Sequence, residues 1–155
     1  MKSRRFLFVL FAVLAAAAVA SASVAGRNSL SNAARFEGEA TLIAATFSSA
    51  WCAACKILEP RLARVIPQFE GAPVKFVEYD FTFGEKERNR AAALADGVSG
   101  EVYDRFAGAT GFTLLIDAKS GAVVDMLTAS HSPKAMRAAI AQALARAGRA
   151  PSASL

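Results

Sequence analysis

Cysteine and histidine are scarce in this chain, which has two cysteines and one histidine in 155 residues. A structural zinc site takes four protein ligands, usually of these two residue types, so the sequence excludes one built from them alone. The cysteines, Cys52 and Cys55, are separated by only two residues. A disulfide that closes so short a loop removes little entropy from the unfolded chain, which disfavours a purely structural bridge. The spacing therefore favours a pair kept for its reactivity.

The net positive charge is also small once the N-terminus is set aside. The net charge is +5, but residues 1–22 contribute Lys2, Arg4 and Arg5 and no acidic residue. Without that segment the net charge falls by three, to +2. No basic stripe remains that would favour nucleic acid as a partner.

The first 22 residues have the pattern of a secretory signal peptide. Basic residues precede an apolar run from Phe6 to Ala20, and small residues follow it, with a cleavage site after Ala22. The run of fifteen residues is shorter than the roughly 20 that a membrane-spanning helix needs. We therefore expect an exported protein, located in the bacterial periplasm, with residues 23–30 as a linker. The alternative is an uncleaved anchor that holds the chain at the membrane, facing the periplasm.

The remaining chain is long enough for one α/β domain, expected at residues 31–148 and followed by a disordered tail at 149–155. Apolar or alternating runs predict strands, and amphipathic runs predict helices. In chain order the predicted elements are a short helix 31–39, strand 40–47, helix 51–70, strand 74–81, helices 85–95 and 101–107, strands 112–117 and 122–128, and helix 133–147. Strands separated by helices favour a parallel pair, and the last two strands form an antiparallel hairpin. The expected architecture is a mixed sheet with helices on both faces.

The chemistry of the chain is expected at the segment Trp51–Lys56, where a buried strand gives way to a helix. The free amides and the dipole of a helix N-terminus favour negative charge and lower the pKa of a cysteine placed there. We expect Cys52 to be the exposed nucleophile. Cys55, one turn further on, is expected to be the buried cysteine that resolves a mixed disulfide on Cys52.

The chain resembles the thioredoxin family over most of residues 36–147. The resemblance is carried by the Trp51–Lys56 motif after a strand, by Pro60 five residues beyond Cys55, and by the segment 111–115 that opens a hairpin. It implies a thioredoxin fold, disulfide reductase, oxidase or isomerase activity, and no cofactor. The implied partners are protein thiols or disulfides and an upstream redox protein.

Four departures from the family pattern affect what the resemblance implies. The dipeptide between the cysteines is Ala53-Ala54 instead of Gly-Pro, so the direction of electron flow is open. Phe112 holds the position of the family's cis-proline, and because a cis bond without proline costs about 3 kcal/mol we expect a trans bond. Thr46 replaces a buried aspartate beneath the resolving cysteine, so proton transfer at Cys55 needs water or another group. Residues 81–105 exceed the family's connection in length and predict an added helical cap.

Five other residues are candidate contributors to the site. Trp51, Phe112 and Thr113 are expected to bind substrate, with ordinary packing as the alternative for Trp51, and Phe112 is expected to lie outside the core. Lys56 and His131 are possible modulators of Cys52, although each can equally be a solvated surface residue. His131 together with the two thiolates would suit Cu(I), so a metal-binding module is the alternative function. A binding domain without redox activity is a third possibility.

Overall fold

Four strands and four helices make up residues 38–147, the part of the chain that the computed structural model describes. The elements are β1 (Leu42–Ser48), α1 (Cys55–Val65), β2 (Val74–Asp80), α2 (Lys86–Asp96), α3 (Gly100–Phe106), β3 (Phe112–Asp117), β4 (Val123–Thr128) and α4 (Pro133–Ala147). The predicted signal peptide at 1–22, the linker at 23–30, most of the predicted helix 31–39 and the tail at 149–155 lie outside the described residues. Within residues 38–147 no helix is long and apolar enough to cross a membrane.

The strands form one mixed sheet in the order β2-β1-β3-β4. β1 pairs in parallel with β2, whereas β3 runs antiparallel to both β1 and β4. All seven residues of β1 are buried, because helices cover both faces of the sheet at this strand. The fold is therefore α/β and thioredoxin-like, with a C-terminal hairpin and helix, which confirms the predicted fold class.

Each face of the sheet has its own hydrophobic core. On one face the core joins apolar residues of α1 and α4, such as Leu58 and Met136, to Ala44 of β1. On the other face, covered by α2 and α3, Phe47 of β1 lies at the centre of an aromatic cluster. Five ring centroids lie between 5.1 and 6.3 Å from that of Phe47, and they belong to Tyr79, Phe81, Tyr103, Phe106 and Phe112. The two helices predicted as an added cap thus cover the aromatic face.

The predicted helix 51–70 is wrong at both ends. Trp51 and the next three residues form turns, and the helix starts only at Cys55. At the other end α1 stops at Val65, and a short 3-10 helix, Ile66–Phe69, follows it. The change occurs at Pro67, which has no N–H to donate to the carbonyl group four residues earlier. The first cysteine therefore precedes the helix instead of lying within it.

Candidate active site at the start of the first helix

Cys52 and Cys55 form a disulfide whose Cα atoms are 5.3 Å apart, a distance within the usual range for such bridges. Cys52 is partly exposed, whereas only 2% of the surface of Cys55 is accessible to solvent. A partner molecule can therefore approach Cys52 more readily than Cys55. This is the arrangement expected for an outer attacking cysteine and an inner resolving cysteine.

The first amide of α1 contacts the outer sulfur directly. The Cys55 N–H donates a hydrogen bond to Cys52 Sγ, with the nitrogen and sulfur 3.1 Å apart. Because amides at a helix N-terminus have no partner within the helix, they stabilise negative charge placed against them. The same contact favours the thiolate form of Cys52 when the disulfide is reduced. Helix α1 therefore contacts Cys52 although it starts four residues later than predicted.

Gly111 lies against the cysteine turn and was not identified as a site residue from the sequence. Its φ angle of +97° is in the left-handed region that favours glycine. A Cβ atom built on Gly111 would lie 2.8 Å from Ala54 Cβ and 3.2 Å from Cys52 Sγ. The Gly111 N–H donates to the carbonyl oxygen of Phe47, at 2.9 Å, which ties this loop to β1. A glycine directly before a buried strand is the sequence signal for such a close approach.

Phe112 and Thr113 lie inside the protein, which corrects the predicted position of Phe112. Side chains alternate along β3, so the two point to opposite faces of the sheet. The Phe112 ring is 9% exposed and stacks on Phe47 in the aromatic core, so the prediction that it lies outside the core is wrong. Thr113 is fully buried, with its Oγ1 2.9 Å from Thr46 Oγ1. Both side chains are therefore enclosed by the protein, and the substrate-binding roles of the two residues stay predictions.

The backbone at this position is as predicted. No peptide bond between residues 38 and 147 is cis, so the bond that precedes Phe112 is trans. The trans bond follows from the absence of proline, since only proline lowers the cost of a cis peptide enough to make it common.

Two large aromatic side chains are exposed beside the cysteine turn. Trp51 is 78% exposed, and its Nε1 donates to the carbonyl oxygen of Thr82 at 3.2 Å. Phe83, the next residue along that loop, is 81% exposed. The Ala50 N–H donates to Thr82 Oγ1 at 2.8 Å, which further attaches the loop to the turn. Because Trp51 is exposed, ordinary core packing does not account for this residue. Phe83 was not identified from the sequence, because nothing in the sequence places its loop near the cysteine turn.

Lys56 and His131 show no contact that would make them part of the site. Lys56 is exposed on the first turn of α1. His131 Nδ1 lies 3.2 Å from the backbone nitrogen of Thr128, and the His131 carbonyl oxygen accepts a hydrogen bond from Arg61 of α1. No group of three or more histidine, cysteine or acidic side chains suited to a metal occurs within residues 38–147. The modulator roles of Lys56 and His131 stay predictions.

A polar layer lies on the face of the sheet that α1 covers, at the ends of β1 and β2. Thr46 pairs in register with Glu78, and Ser48 with Asp80. Ser48 Oγ donates to Glu78 Oε1 at 2.7 Å. Glu59 of α1 is half-buried above this layer, and burial raises the pKa of its carboxyl group, as do the negative charges of Glu78 and Asp80. The layer therefore places the carboxylates of Glu78 and Asp80 near Glu59 of α1.

Glu59 is expected to destabilise the fold at neutral pH. Since its pKa is raised in the folded state, the folded protein binds more protons than the unfolded chain between the two pKa values, and stability falls as pH rises through that range. Replacing Glu59 by glutamine should therefore increase the free energy of unfolding at pH 7. The gain should disappear below the ordinary glutamate pKa of 4.5, which urea denaturation at a series of pH values would measure. An equal gain at every pH would contradict this assignment.

Comparison with known proteins gives structural matches only, since no family model and no curated protein matches the chain. A mutant thioredoxin from Halobacterium salinarum is 21% identical, with a TM-score of 0.42 over 68% of this chain and 76% of its own. Thioredoxin from Malassezia sympodialis is 18% identical, with a TM-score of 0.44 over 76% and 82%. StoA from Bacillus subtilis is 13% identical, with a TM-score of 0.45 over 66% and 84%. The fold assignment rests on the sheet order and connections described above, and no residue role is taken from these proteins.

Proposed function

We propose that this protein is a thiol–disulfide oxidoreductase in which Cys52 is the nucleophile and Cys55 the resolving cysteine. One observation carries the proposal: a disulfide at the start of α1 whose outer sulfur is partly exposed and whose inner sulfur is buried. A structural bridge gains nothing from this asymmetry. An exchange reaction needs it, because the partner must attack, or be attacked by, one defined sulfur.

The exchange proceeds in two steps that conserve electrons. The Cys52 thiolate attacks one sulfur of a substrate disulfide, which forms a mixed disulfide and releases the first substrate thiolate. The Cys55 thiolate then attacks Cys52 Sγ, which forms the Cys52–Cys55 disulfide and releases the second thiolate. The substrate gains two electrons and the cysteine pair loses two. Both steps are reversible, so the same residues oxidise a substrate dithiol when the reduction potential of the pair is higher.

The proposed substrates are cysteines of other exported proteins, and an upstream redox protein restores the cysteine pair after each cycle. The signal-peptide pattern of residues 1–22 supports this location in the periplasm, either free or held by an uncleaved anchor. In such an oxidising compartment both protein disulfides and dithiols are available as substrates. The absence of a three-ligand metal cluster within the described residues leaves the metal-binding alternative without a supporting observation.

The proposed activity is tested with insulin reduction and with the oxidative refolding of a reduced protein. The purified protein should accelerate at least one of these reactions. Equilibration of the Cys52–Cys55 pair with glutathione buffers then gives its reduction potential and so the direction of electron flow. A potential of about −270 mV indicates a reductant, and one of about −120 mV indicates an oxidant. A protein that accelerates neither reaction would contradict the proposal.

Trp51 is expected to contribute to the binding of protein substrates. Replacing it by alanine removes an exposed aromatic surface beside Cys52 and should raise KM for a protein substrate by about five- to tenfold, the equivalent of about 1 kcal/mol of lost apolar contact. The rate with a small disulfide, which makes few contacts beyond its sulfurs, should change little. The matched control is Leu94→Ala, which removes an exposed apolar side chain from α2. Equal effects of the two variants on KM would show that Trp51 has no specific role.

A further inference from the structure

The buried cysteine must exchange a proton with some group during each cycle. Cys55 reacts as a thiolate, but its sulfur is almost entirely shielded from solvent. On the face of the sheet that α1 covers, β1 has a buried threonine, Thr46. Its hydroxyl group is hydrogen-bonded to that of Thr113, with the two oxygens 2.9 Å apart. A threonine hydroxyl neither takes up nor gives up a proton near neutral pH. The proton of Cys55 therefore needs another acceptor.

Glu59 lies one helical turn beyond Cys55 on α1. Residues four positions apart in a helix lie on the same face, with Cβ atoms about 5–6 Å apart, so the two side chains are neighbours above the sheet. Cys55 is buried and Glu59 half-buried, and β2 presents Glu78 and Asp80 to Glu59. From β1, this part of the face presents hydroxyl groups only, those of Thr46 and Ser48.

The other two carboxylates already have hydrogen-bond donors. Glu78 accepts from Ser48 Oγ at 2.7 Å, and Asp80 accepts from the Thr82 N–H at 2.8 Å. Within residues 38–147 no side chain forms an ion pair with Glu59. Lys56, one turn before Glu59 on the same helix, is exposed. Of the three carboxylates, Glu59 is thus the one that shares a helical face with Cys55 and has its oxygens available.

We propose that Glu59 is the proton acceptor and donor for the Cys55 thiol during disulfide exchange, a role that rests on the oxidoreductase function proposed above. In the resolving step the Cys55 S–H gives its proton to the Glu59 carboxylate, directly or through one water molecule. The resulting thiolate forms a bond to Cys52 Sγ, the bond between Cys52 and the substrate sulfur breaks, and the substrate leaves as a thiolate. Glu59 then loses the proton to solvent, and in the reverse reaction it returns a proton to Cys55.

The surroundings of Glu59 improve it as a base. Burial and the negative charges of Glu78 and Asp80 raise its pKa, which brings it nearer to that of a thiol. A catalytic base is most effective when its pKa lies near the working pH, and a positioned base typically contributes about 10²- to 10⁴-fold in rate. The destabilisation predicted for Glu59 at neutral pH is then linked to its catalytic role.

The test follows the two steps separately in a stopped-flow experiment. The reduced protein is mixed with a small aromatic disulfide that releases a coloured thiolate at each step. The rate of the first release depends on the reagent concentration, because it reports attack by Cys52 on the reagent. The rate of the second release is independent of that concentration, because it reports attack by Cys55 on Cys52. The rates of both are measured between about pH 5 and pH 9 for the wild type, for Glu59→Gln and for Glu70→Gln. The last variant removes an exposed carboxylate just after the 3-10 helix that follows α1 and is the matched control.

Glu59→Gln should slow the second release at least about tenfold at pH 7, a conservative figure for the loss of a positioned base. It should also make that rate rise with pH up to the range in which a free thiol ionises, while the first release stays unchanged. Glu70→Gln should match the wild type in both steps. The proposal is overturned if the second release keeps its wild-type rate and pH profile in Glu59→Gln, or if both releases slow equally. A wild-type protein that releases no second thiolate would instead contradict the oxidoreductase function itself.

Discussion

Replacing Cys52 by serine is expected to abolish disulfide exchange, whereas replacing Cys55 should stop the reaction halfway. The rate of insulin reduction or of oxidative refolding should fall at least about a thousandfold in Cys52→Ser, because a hydroxyl group cannot form the mixed disulfide. In Cys55→Ser the outer thiol is still present and its attack on a substrate remains possible. The mixed disulfide then has no resolving thiol and accumulates.

Mass spectrometry of each variant after incubation with a substrate disulfide distinguishes these outcomes. Cys55→Ser should gain the mass of one substrate thiol, and Cys52→Ser should gain none, since the remaining Cys55 sulfur is buried. The two variants are controls for each other, because both lose the disulfide and one sulfur atom. If Cys52→Ser retained wild-type rates, or if both variants formed mixed disulfides equally well, the roles assigned to the two cysteines would be wrong.

Replacing Gly111 by alanine is expected to lower the free energy of unfolding by about 2–5 kcal/mol. The left-handed φ of +97° contributes about 1–2 kcal/mol for a residue with a side chain. The new methyl group also meets Ala54 Cβ at 2.8 Å and Cys52 Sγ at 3.2 Å, and overpacking of this kind typically costs about 1–3 kcal/mol. The cysteine turn has to move to make room, so the exchange rate should fall as well. Urea denaturation of the oxidised protein measures the first effect and insulin reduction the second.

Gly71→Ala separates the backbone effect from the packing effect. Gly71 has a similar φ of +75°, but a Cβ atom there would meet nothing within 4 Å. This control should therefore show only the loss of about 1–2 kcal/mol that the left-handed conformation imposes, with an unchanged exchange rate. Equal losses of stability in the two variants would mean that Gly111 does not pack against the cysteine turn in the way described.

The strands were predicted more accurately from the sequence than the start of α1. β3 begins and ends at the predicted residues, and β2 differs by one residue at its end, because apolar runs and glycine or proline at their borders are local signals. The first residues of the predicted helix are apolar or small and carry no signal that separates a turn from a helix. The start at Cys55 depends on contacts with other parts of the chain, such as the hydrogen bonds that Ala50 and Trp51 donate to Thr82.

The site residues divide in the same way. Cys52 and Cys55 were identified by their spacing and by their place after a buried strand, both of which are properties of the chain alone. The error at Phe112 arose because the residue was judged by its likeness to a family position, whereas strand alternation directs its ring into the aromatic core. Gly111 lies against Cys52, and the loop of Thr82 and Phe83 is attached to the cysteine turn. Both loops are distant from the two cysteines in sequence.

The amino-acid sequence alone determined the order of the elements, the faces that they bury and the identity of the reactive pair, because periodicity and short spacing are local properties. Tertiary structure decided which groups surround that pair. It placed Gly111 against Cys52. It also paired Thr46 with Glu78 on neighbouring strands and brought Glu59 near Glu78 and Asp80. These relations depend on how β1, β2 and β3 align beside one another, and the register of paired strands is set by the packing of the whole sheet.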